Sequence, residues 1–523
     1  MAIPPRTSEV VLTPEEVARR EPVRIHGEGL SIEDLSRVAR GRAPVELDDD
    51  AVERIGRSRA ALEAAAAEPA RAIYGVNTGF GRLASTRIGD DDVASLQANL
   101  IASHAAGVGP AMEEAFVRGA MLLRANTLAK GYSGVRPCVV ETLVALLNAG
   151  VHPVVPSYGS LGASGDLIPL AHVASVLLGG GTAEVSGRLL DGAEALRVAG
   201  CSPVTLVAKE GLALINGTPF MTAVAALAVD DAQRLLDEAD ILGALTVATL
   251  GGSSEAFRPS IHAARPHRGQ STSAAVLFTL LDGLESPDHV QDPYSLRCIP
   301  QVHGAIRDAA HHARAILEIE MNAATDNPLV FADTGEVLSG GNFHGEPVAL
   351  VADYVKLAMT DLAAISERRT NRLLHPDLNR GLPPFLAQDP GLGSGLMLAQ
   401  YTAAALVSRC RTLAHPASAD SMSVSGDQED HVSMGMHAAL HLSQVVEHAA
   451  TVLGVELACV SQALTFADRT LPPPLAELGE KLRAWLPPLE DDAPPRERIE
   501  TGAALLRRGA LSELCAQRTG EAR

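Results

Sequence analysis

The run Gly159-Ser-Leu-Gly-Ala-Ser-Gly165-Asp166 gathers three glycines, two serines and a carboxylate into eight residues. Its glycine content resembles a phosphate cradle, but no Gly-Lys-Ser/Thr follows, and the charge of Asp166 repels phosphate. Nor is Ser164 a nucleophile-elbow serine: Gly162 stands two residues before it, but Asp166 rather than glycine stands two after. A turn-rich loop without chemistry remains open on composition alone. The 17 histidines raise the question of metal. His437 and His441 are four apart on an expected helix, yet Ala438-Ala439-Leu440 supplies no glutamate base and His-Glu-x-x-His is absent. His311 and His312, being adjacent, point to different faces. No metal site and no nucleotide site is expected.

The elements that must position these residues belong to a chain of 523 residues with 43 Lys plus Arg against 63 Asp plus Glu, a formal charge of −20. So acidic a chain repels nucleic-acid backbones and anionic membranes, so neither is an expected partner. No uncharged apolar run reaches the roughly 18–20 residues that cross a bilayer. Six scattered cysteines form no Cys-x-x-Cys pair, and the opening Met1-Ala-Ile-Pro-Pro-Arg-Thr-Ser-Glu9 lacks a basic segment followed by an apolar one. Both features point to a reducing, cytoplasmic setting.

Alanine and leucine dominate, aromatic residues are only 3%, and period-2 runs are short, so the fold class expected is mainly α. One helix is expected from Asp48-Asp49-Asp50 through Val52, Ile55 and Ala60–Ala67 to Pro69, with carboxylates at its N-terminus. Between Pro347 and Leu374, Val348, Val351, Val355, Ala358, Leu362 and Ile365 recur at spacings of three and four, which predicts a long helix with one apolar seam. Further long helices are expected over Met436–Leu464 and Val302–Met321, and together they pack most simply as a bundle. Tyr74–Arg82 and Pro156–Asp166 read as loops, and Leu471–Pro495, rich in proline and charge, as a surface crossing before a last helix near Glu497–Arg508. Two domains are expected: residues 1–225, loop-rich, and 226–523, the long-helix bundle with a C-terminal helical region.

Six segments in order make a recognisable set: Tyr74-Gly-Val-Asn-Thr-Gly-Phe-Gly81, Gly159-Ser-Leu-Gly-Ala-Ser-Gly-Asp-Leu167, Gly211-Leu-Ala-Leu-Ile-Asn-Gly-Thr218, Gln291-Asp-Pro-Tyr-Ser-Leu-Arg297, Asn342-Phe-His-Gly345 and Gln428-Glu-Asp-His-Val-Ser433. Together they resemble the ordered motifs of the aromatic amino-acid ammonia-lyases, over about residues 70–435. The resemblance implies a prosthetic group, 4-methylidene-imidazole-5-one (MIO), formed autocatalytically from Ala163, Ser164 and Gly165 and carried by the N-terminal domain. The residue types suit that closure: Gly165 has no Cβ to keep its nitrogen from the Ala163 carbonyl, and Ser164 can lose water to leave a methylene. The electrophile so made lets a substrate amine depart as a better leaving group.

By the same resemblance Tyr74 is the base for the β-proton. A phenol of pKa about 10 is some three units above neutral, so holding it as phenolate costs about 4 kcal/mol. Either the site depresses that pKa or activity rises with pH. Asn216 and Tyr294 are implied to orient or polarise the ring and amine, Gln291 to support them, Arg297 to hold the substrate carboxylate and Phe343 to pack beside the prosthetic ring. Read singly, Tyr74 and Tyr294 fit equally well as buried tyrosines with satisfied hydroxyls, Arg297 as the partner of an internal acid, and Asn216-Gly217 as a turn.

Ser103-His104 and Met397 resemble the histidine branch of the family, and Glu429 stands where phenylalanine and tyrosine enzymes carry Gln. A carboxylate there accepts an imidazole N–H, a charge-assisted bond worth about 1.5–3 kcal/mol, or roughly 10- to 150-fold in selectivity. The resemblance thus implies non-oxidative deamination of L-histidine to trans-urocanate by a homotetramer with shared active sites. Gly426-Asp427 departs from the Ala-Asn more frequent in that branch and is shared with some tyrosine aminomutases. A tyrosine or phenylalanine lyase, or an aromatic 2,3-aminomutase, is therefore the alternative within the family, and an inactive helical scaffold the alternative outside it.

Overall fold

A computed structural model describes residues 20–68 and 72–519 of the chain. They form two compact units. The first comprises the described residues up to Leu227 together with Arg314–Asp353 and Pro416–Leu440. The second comprises Ala228–Ala313, Tyr354–His415 and the described residues from His441 onward. The units therefore alternate along the chain after Leu227.

Helix dominates, and the described strands are three or four residues long. Four long helices, numbered in chain order, are α1 (Pro219–Thr249), α2 (Ile299–Met321), α3 (Glu346–Leu374) and α4 (Gly435–Ala463). The expected spans for the last three agree to within three residues. Helix α1 was not anticipated. It is buried along most of its length, so a stripe shows only over its middle, where Asp230, Asp231, Gln233, Arg234 and Asp237 keep partial exposure. In α3 the buried stripe is wider than the expected seam, with Ala349, Ala352, Met359 and Ala363 fully covered, while Leu350, Tyr354 and Leu357 form a second stripe about half exposed.

The first helix of the expected set runs Asp49–Ala66, capped by the Asp48 side chain on the Asp50 N–H. Its anticipated stop, Pro69, and the opening Met1–Glu9 lie outside the described residues. Two other expectations are corrected. Pro156–Tyr158 is a strand paired antiparallel with Val108–Ala111 rather than loop. Within the supposed surface crossing, Pro473–Trp485 is a helix. Proline at the first helical position loses no hydrogen bond, because that N–H has no partner within the helix, so Pro472-Pro473-Pro474 starts a helix where the proline content predicts a surface crossing.

The second unit has a polar core. Glu456 of α4 accepts from Arg369 of α3 at 2.6 and 2.8 Å, from Ser366 at 2.7 Å and from Thr246 of α1 at 2.6 Å. Beside it, Asp240 of α1 meets His303 of α2 at 2.8 Å and Arg307 at 2.7 Å. Arg369, Glu456, His303 and Asp240 are fully buried. Each oxygen of Glu456 is multiply satisfied, so the pair joins three helices without a stranded charge. Glu456→Ala, by leaving Arg369 buried and alone, is expected to cost about 3–5 kcal/mol in urea unfolding. A double replacement of Arg369 and Glu456 by Met and Leu is expected to recover most of that loss.

Candidate active site

The glycine-rich run is held by main chain. Gly162 pairs with Gly165, leaving Ala163 and Ser164 at the tip, and Gly165 pairs with Gly217. The Gly217 N–H donates to the Ser164 carbonyl at 3.2 Å, and the Asp166 N–H donates to the Gly217 carbonyl at 2.6 Å. Only glycine permits this approach. A Cβ on Gly165 (φ +72°) would lie 1.9 Å from the Gly217 oxygen, and one on Gly217 (φ +133°) 2.2 Å from the Thr325 oxygen. The far side is closed by the Met434 N–H on the Leu161 carbonyl at 3.0 Å and the Ser433 hydroxyl on the Gly162 carbonyl at 3.4 Å.

Asp166, first read only as a charge that repels phosphate, fastens the run. One carboxylate oxygen accepts the Phe220 and Met221 N–H groups at the start of α1, at 2.8 and 3.0 Å, and the other accepts the Ser160 hydroxyl at 3.2 Å. A negative charge at a helix N-terminus is favoured. Complete burial nevertheless pushes its pKa up to about 7 against those hydrogen bonds.

Asn216 is fixed from behind. Its amide nitrogen donates to Asp326 at 3.1 Å and to the Asn327 carbonyl at 3.2 Å, while its own carbonyl accepts from Arg124. Asp326 in turn pairs with Lys209 at 2.7 Å, both fully buried. Lys209 and Arg124 hold the Asp326 carboxyl below the usual carboxylate range despite burial. Asn216 is thus more than a turn residue: it is pinned to a buried ion pair, and Gly217 is placed with it.

Tyr74 is anchored by its neighbours, since Ile73 and Val76 pack with Leu62, Ala65 and Val330. Gln97 ties the loop to the segment before Asn216, donating to the Gly75 carbonyl and accepting from the Gly211 N–H. The phenol oxygen accepts the Gly81 N–H at 3.1 Å. Its pKa is raised, first by burial and further by the charge of Glu429, with the Gly81 hydrogen bond opposing both. Of the two expected outcomes for this base, depression of the phenol is the one not found. Glu429 is half-buried, its own pKa raised by burial, on a hairpin in which Val424 and Glu429 pair. A Cβ on Gly81 would meet Ser425 of that hairpin at 2.7 Å and Glu429 at 4.0 Å.

The first unit therefore brings together the Ala163-Ser164-Gly165 run with Asn216, and Tyr74 with Glu429. It also holds half-buried Phe343 and, at the end of the helix Val93–His104, His104, whose Nδ1 lies 3.0 Å from the Ser103 hydroxyl and whose pKa burial lowers. Gln291, Tyr294, Arg297 and Met397 belong to the second unit. There Tyr294 is 71% exposed, and the Arg297 guanidinium lies 4.8 Å above its ring. Arg297 donates to the Asp292 carbonyl at 2.8 Å but forms no ion pair among the described residues, because the Asp292 carboxylate is taken by Arg380 at 2.7 Å. The sequence alone assigns no role in the site to Asp166, Ser433, Lys209, Asp326 or Arg124. Asp166 and Ser433 lie within the recognised segments, whereas the other three carry no local signal.

The first unit thus holds a glycine-pinned main-chain turn together with a phenol and a carboxylate. Comparison with known proteins gives the family. The profile described as aromatic amino acid lyase matches residues 30–486. A protein named histidine ammonia-lyase from Gloeobacter violaceus is 50% identical over 496 residues, covering 94% of this chain and 96% of that one. Among solved structures, histidine ammonia-lyase from Trypanosoma cruzi superposes with TM-score 0.89 at 39% identity, covering 95% of each chain. Tyrosine aminomutase from Streptomyces globisporus does so with TM-score 0.89 at 39% identity, covering 95% of this chain and 99% of that one. The chain belongs to the aromatic amino acid lyase family.

Gly217→Ala is expected to destabilise the chain by about 3 kcal/mol or more, as read by urea unfolding, because a left-handed backbone and a blocked Cβ coincide there. Gly200→Ala, at φ +71° with nothing within 4 Å of its Cβ, is expected to cost only about 1–2 kcal/mol. Equal losses would show that the close approach to Thr325 carries no weight.

Proposed function

We propose that the chain is a histidine ammonia-lyase, a carbon–nitrogen lyase that converts L-histidine to trans-urocanate and ammonia without oxidation. The observation that carries this reading is the carboxylate of Glu429 beside Tyr74, in a chain half identical to a protein named for that activity. We assign MIO to Ala163-Ser164-Gly165, and the residues fit it: the Gly162–Gly165 turn presents the tripeptide, and Gly165, lacking a Cβ, lies directly against the Gly217 carbonyl. When formed, this group supplies an electrophile for the substrate amine.

The rest is done by side chains and main-chain dipoles. The Gly217 N–H on the Ser164 carbonyl draws electron density from the tripeptide. Tyr74 takes the β-proton onto its phenol oxygen, the Gly81 N–H stabilising the charge that requires. Removal of that proton and departure of ammonia leave the carbon–carbon double bond. Arg297, with no ion-pair partner among the described residues, binds the substrate carboxylate, and Glu429 accepts the imidazole N–H. His104, Met397 and Phe343 line the ring, and Asn216, Gln291 and Tyr294 orient the amine. The exposure of Tyr294 and of Leu350, Tyr354, Leu357, Leu398 and Tyr401 supports a homotetramer with shared active sites. The six free cysteines support a cytoplasmic setting. No described helix is long and apolar enough to cross a membrane.

A second reading, an aromatic aminomutase, is favoured only by Gly426-Asp427 and by the likeness to the tyrosine aminomutase. Incubation with L-histidine, L-tyrosine and L-phenylalanine, with chiral analysis of products, separates the two. Urocanate from histidine is expected, and β-tyrosine in its place would overturn the assignment. Glu429→Gln is expected to reduce the preference for histidine over phenylalanine by roughly 10- to 150-fold.

Because burial and Glu429 raise the Tyr74 phenol, the basic form is scarce at neutral pH and grows tenfold per pH unit below the pKa. kcat/KM is therefore expected to climb with pH through neutrality, and Glu429→Gln, by removing a neighbouring negative charge, to shift the profile to lower pH. A flat profile between pH 7 and about 9 would contradict Tyr74 as a neutral phenol awaiting deprotonation.

A further inference from the structure

Beyond the lyase chemistry, we propose that His344, Glu346 and His431 form a binding site for a divalent transition-metal ion of the zinc, cobalt or nickel type. One ligand atom from each lies within 4.8 Å of those of the other two. The two imidazoles stack in parallel, ring centres 5.8 Å apart and planes 4° apart. His344 Nε2 is 3.2 Å from the His431 carbonyl, which only accepts, so the proton is on Nε2 and the lone pair on Nδ1. That Nδ1 otherwise receives only a long 3.4 Å contact from the Glu346 N–H. His431 Nδ1 is engaged by the Ser421 hydroxyl at 3.1 Å, which leaves Nε2 for a ligand. In each ring one nitrogen is thus held by a hydrogen bond, His344 Nε2 on the His431 carbonyl and His431 Nδ1 on the Ser421 hydroxyl, while the other carries at most the long Glu346 N–H contact, the pattern by which hydrogen-bond partners orient metal-bound imidazoles.

Glu346 supplies the independent indication. Its Oε2 is buried without a hydrogen-bond partner among the described residues, a cost that a cation removes. Two imidazoles and one carboxylate suit zinc, cobalt or nickel and disfavour magnesium or calcium, which take oxygen ligands. The ion would join the first turn of α3 to the segment 421–434. It would thereby pin two neighbours of the active site, since Phe343 precedes His344 and Glu429 is two residues before His431. Gly345 and Ser433 carry the link inward: a Cβ on Gly345 would lie 3.0 Å from the Ser433 hydroxyl, which itself contacts the Gly162 carbonyl. The histidines are 87 positions apart, so spacing motifs do not reveal the site.

The test is titration of chelator-stripped full-length protein with cobalt(II) chloride, followed by visible spectroscopy and thermal unfolding. Saturable binding of about one ion per chain, a ligand-field band and a raised unfolding midpoint are expected. His431→Ala, at an exposed position, and Glu346→Gln should each weaken binding by more than the roughly 10- to 100-fold that follows loss of an outer-shell partner. His311→Ala, on the exposed face of α2, should bind as the parent does. Magnesium chloride should give no midpoint shift. No ligand-field band in the parent, or an undiminished band in both site variants, would overturn the proposal.

Discussion

Gly165 lies against the carbonyl of Gly217 because it has no Cβ, and the candidate site depends on that contact. A methyl group on Gly165 would meet the Gly217 oxygen, and one on Gly217 would meet the Thr325 oxygen behind it. The contact also fixes the hydrogen bonds through which Gly217 holds Ser164 and Asp166. Main chain is the stiffest material a protein offers, having only two soft torsions per residue. A turn that must present its own backbone for reaction is therefore best clamped by more backbone.

The clamp is supported by buried charge. Asp166 fixes one end to the start of α1, and the Lys209–Asp326 pair fixes Asn216 at the other. Ionised groups in such positions are costly to desolvate and are retained where their hydrogen bonds are complete, as they are at Asp326 and at Glu456 in the second unit. Both networks position other groups more than they add net stability. Tyr74 is treated differently: its loop is anchored by apolar packing, and its phenol is left in a setting that keeps it protonated.

Much of this was legible in the sequence where the signal is local or periodic. The stripes of α2, α3 and α4 gave their spans to within a few residues, and the glycine density of Tyr74–Arg82 and Pro156–Asp166 marked two loops of the candidate site, although Pro156–Tyr158 is strand. Six motifs in order then carried the likeness to the family. Helix α1 escaped because burial along most of its length leaves a stripe only over its middle, and the helix from Pro473 escaped because a run rich in proline and charge reads as a surface crossing, although proline is well placed at a helix start. Lys209 with Asp326, 117 positions apart, and His344 with His431 meet only through the fold. The direction of the Tyr74 shift also required coordinates, since it reflects a balance between burial, Glu429 and one N–H.

The most direct measurement of the central claim is the intact mass of the purified, untreated chain. Closure of Ala163-Ser164-Gly165 into a ring with an exocyclic methylene expels two waters, one in forming the ring and one from the serine side chain. The account predicts a chain lighter by two waters than its sequence, with the deficit confined to the peptide that contains residues 163–165. A chain at its full unmodified mass would contradict it.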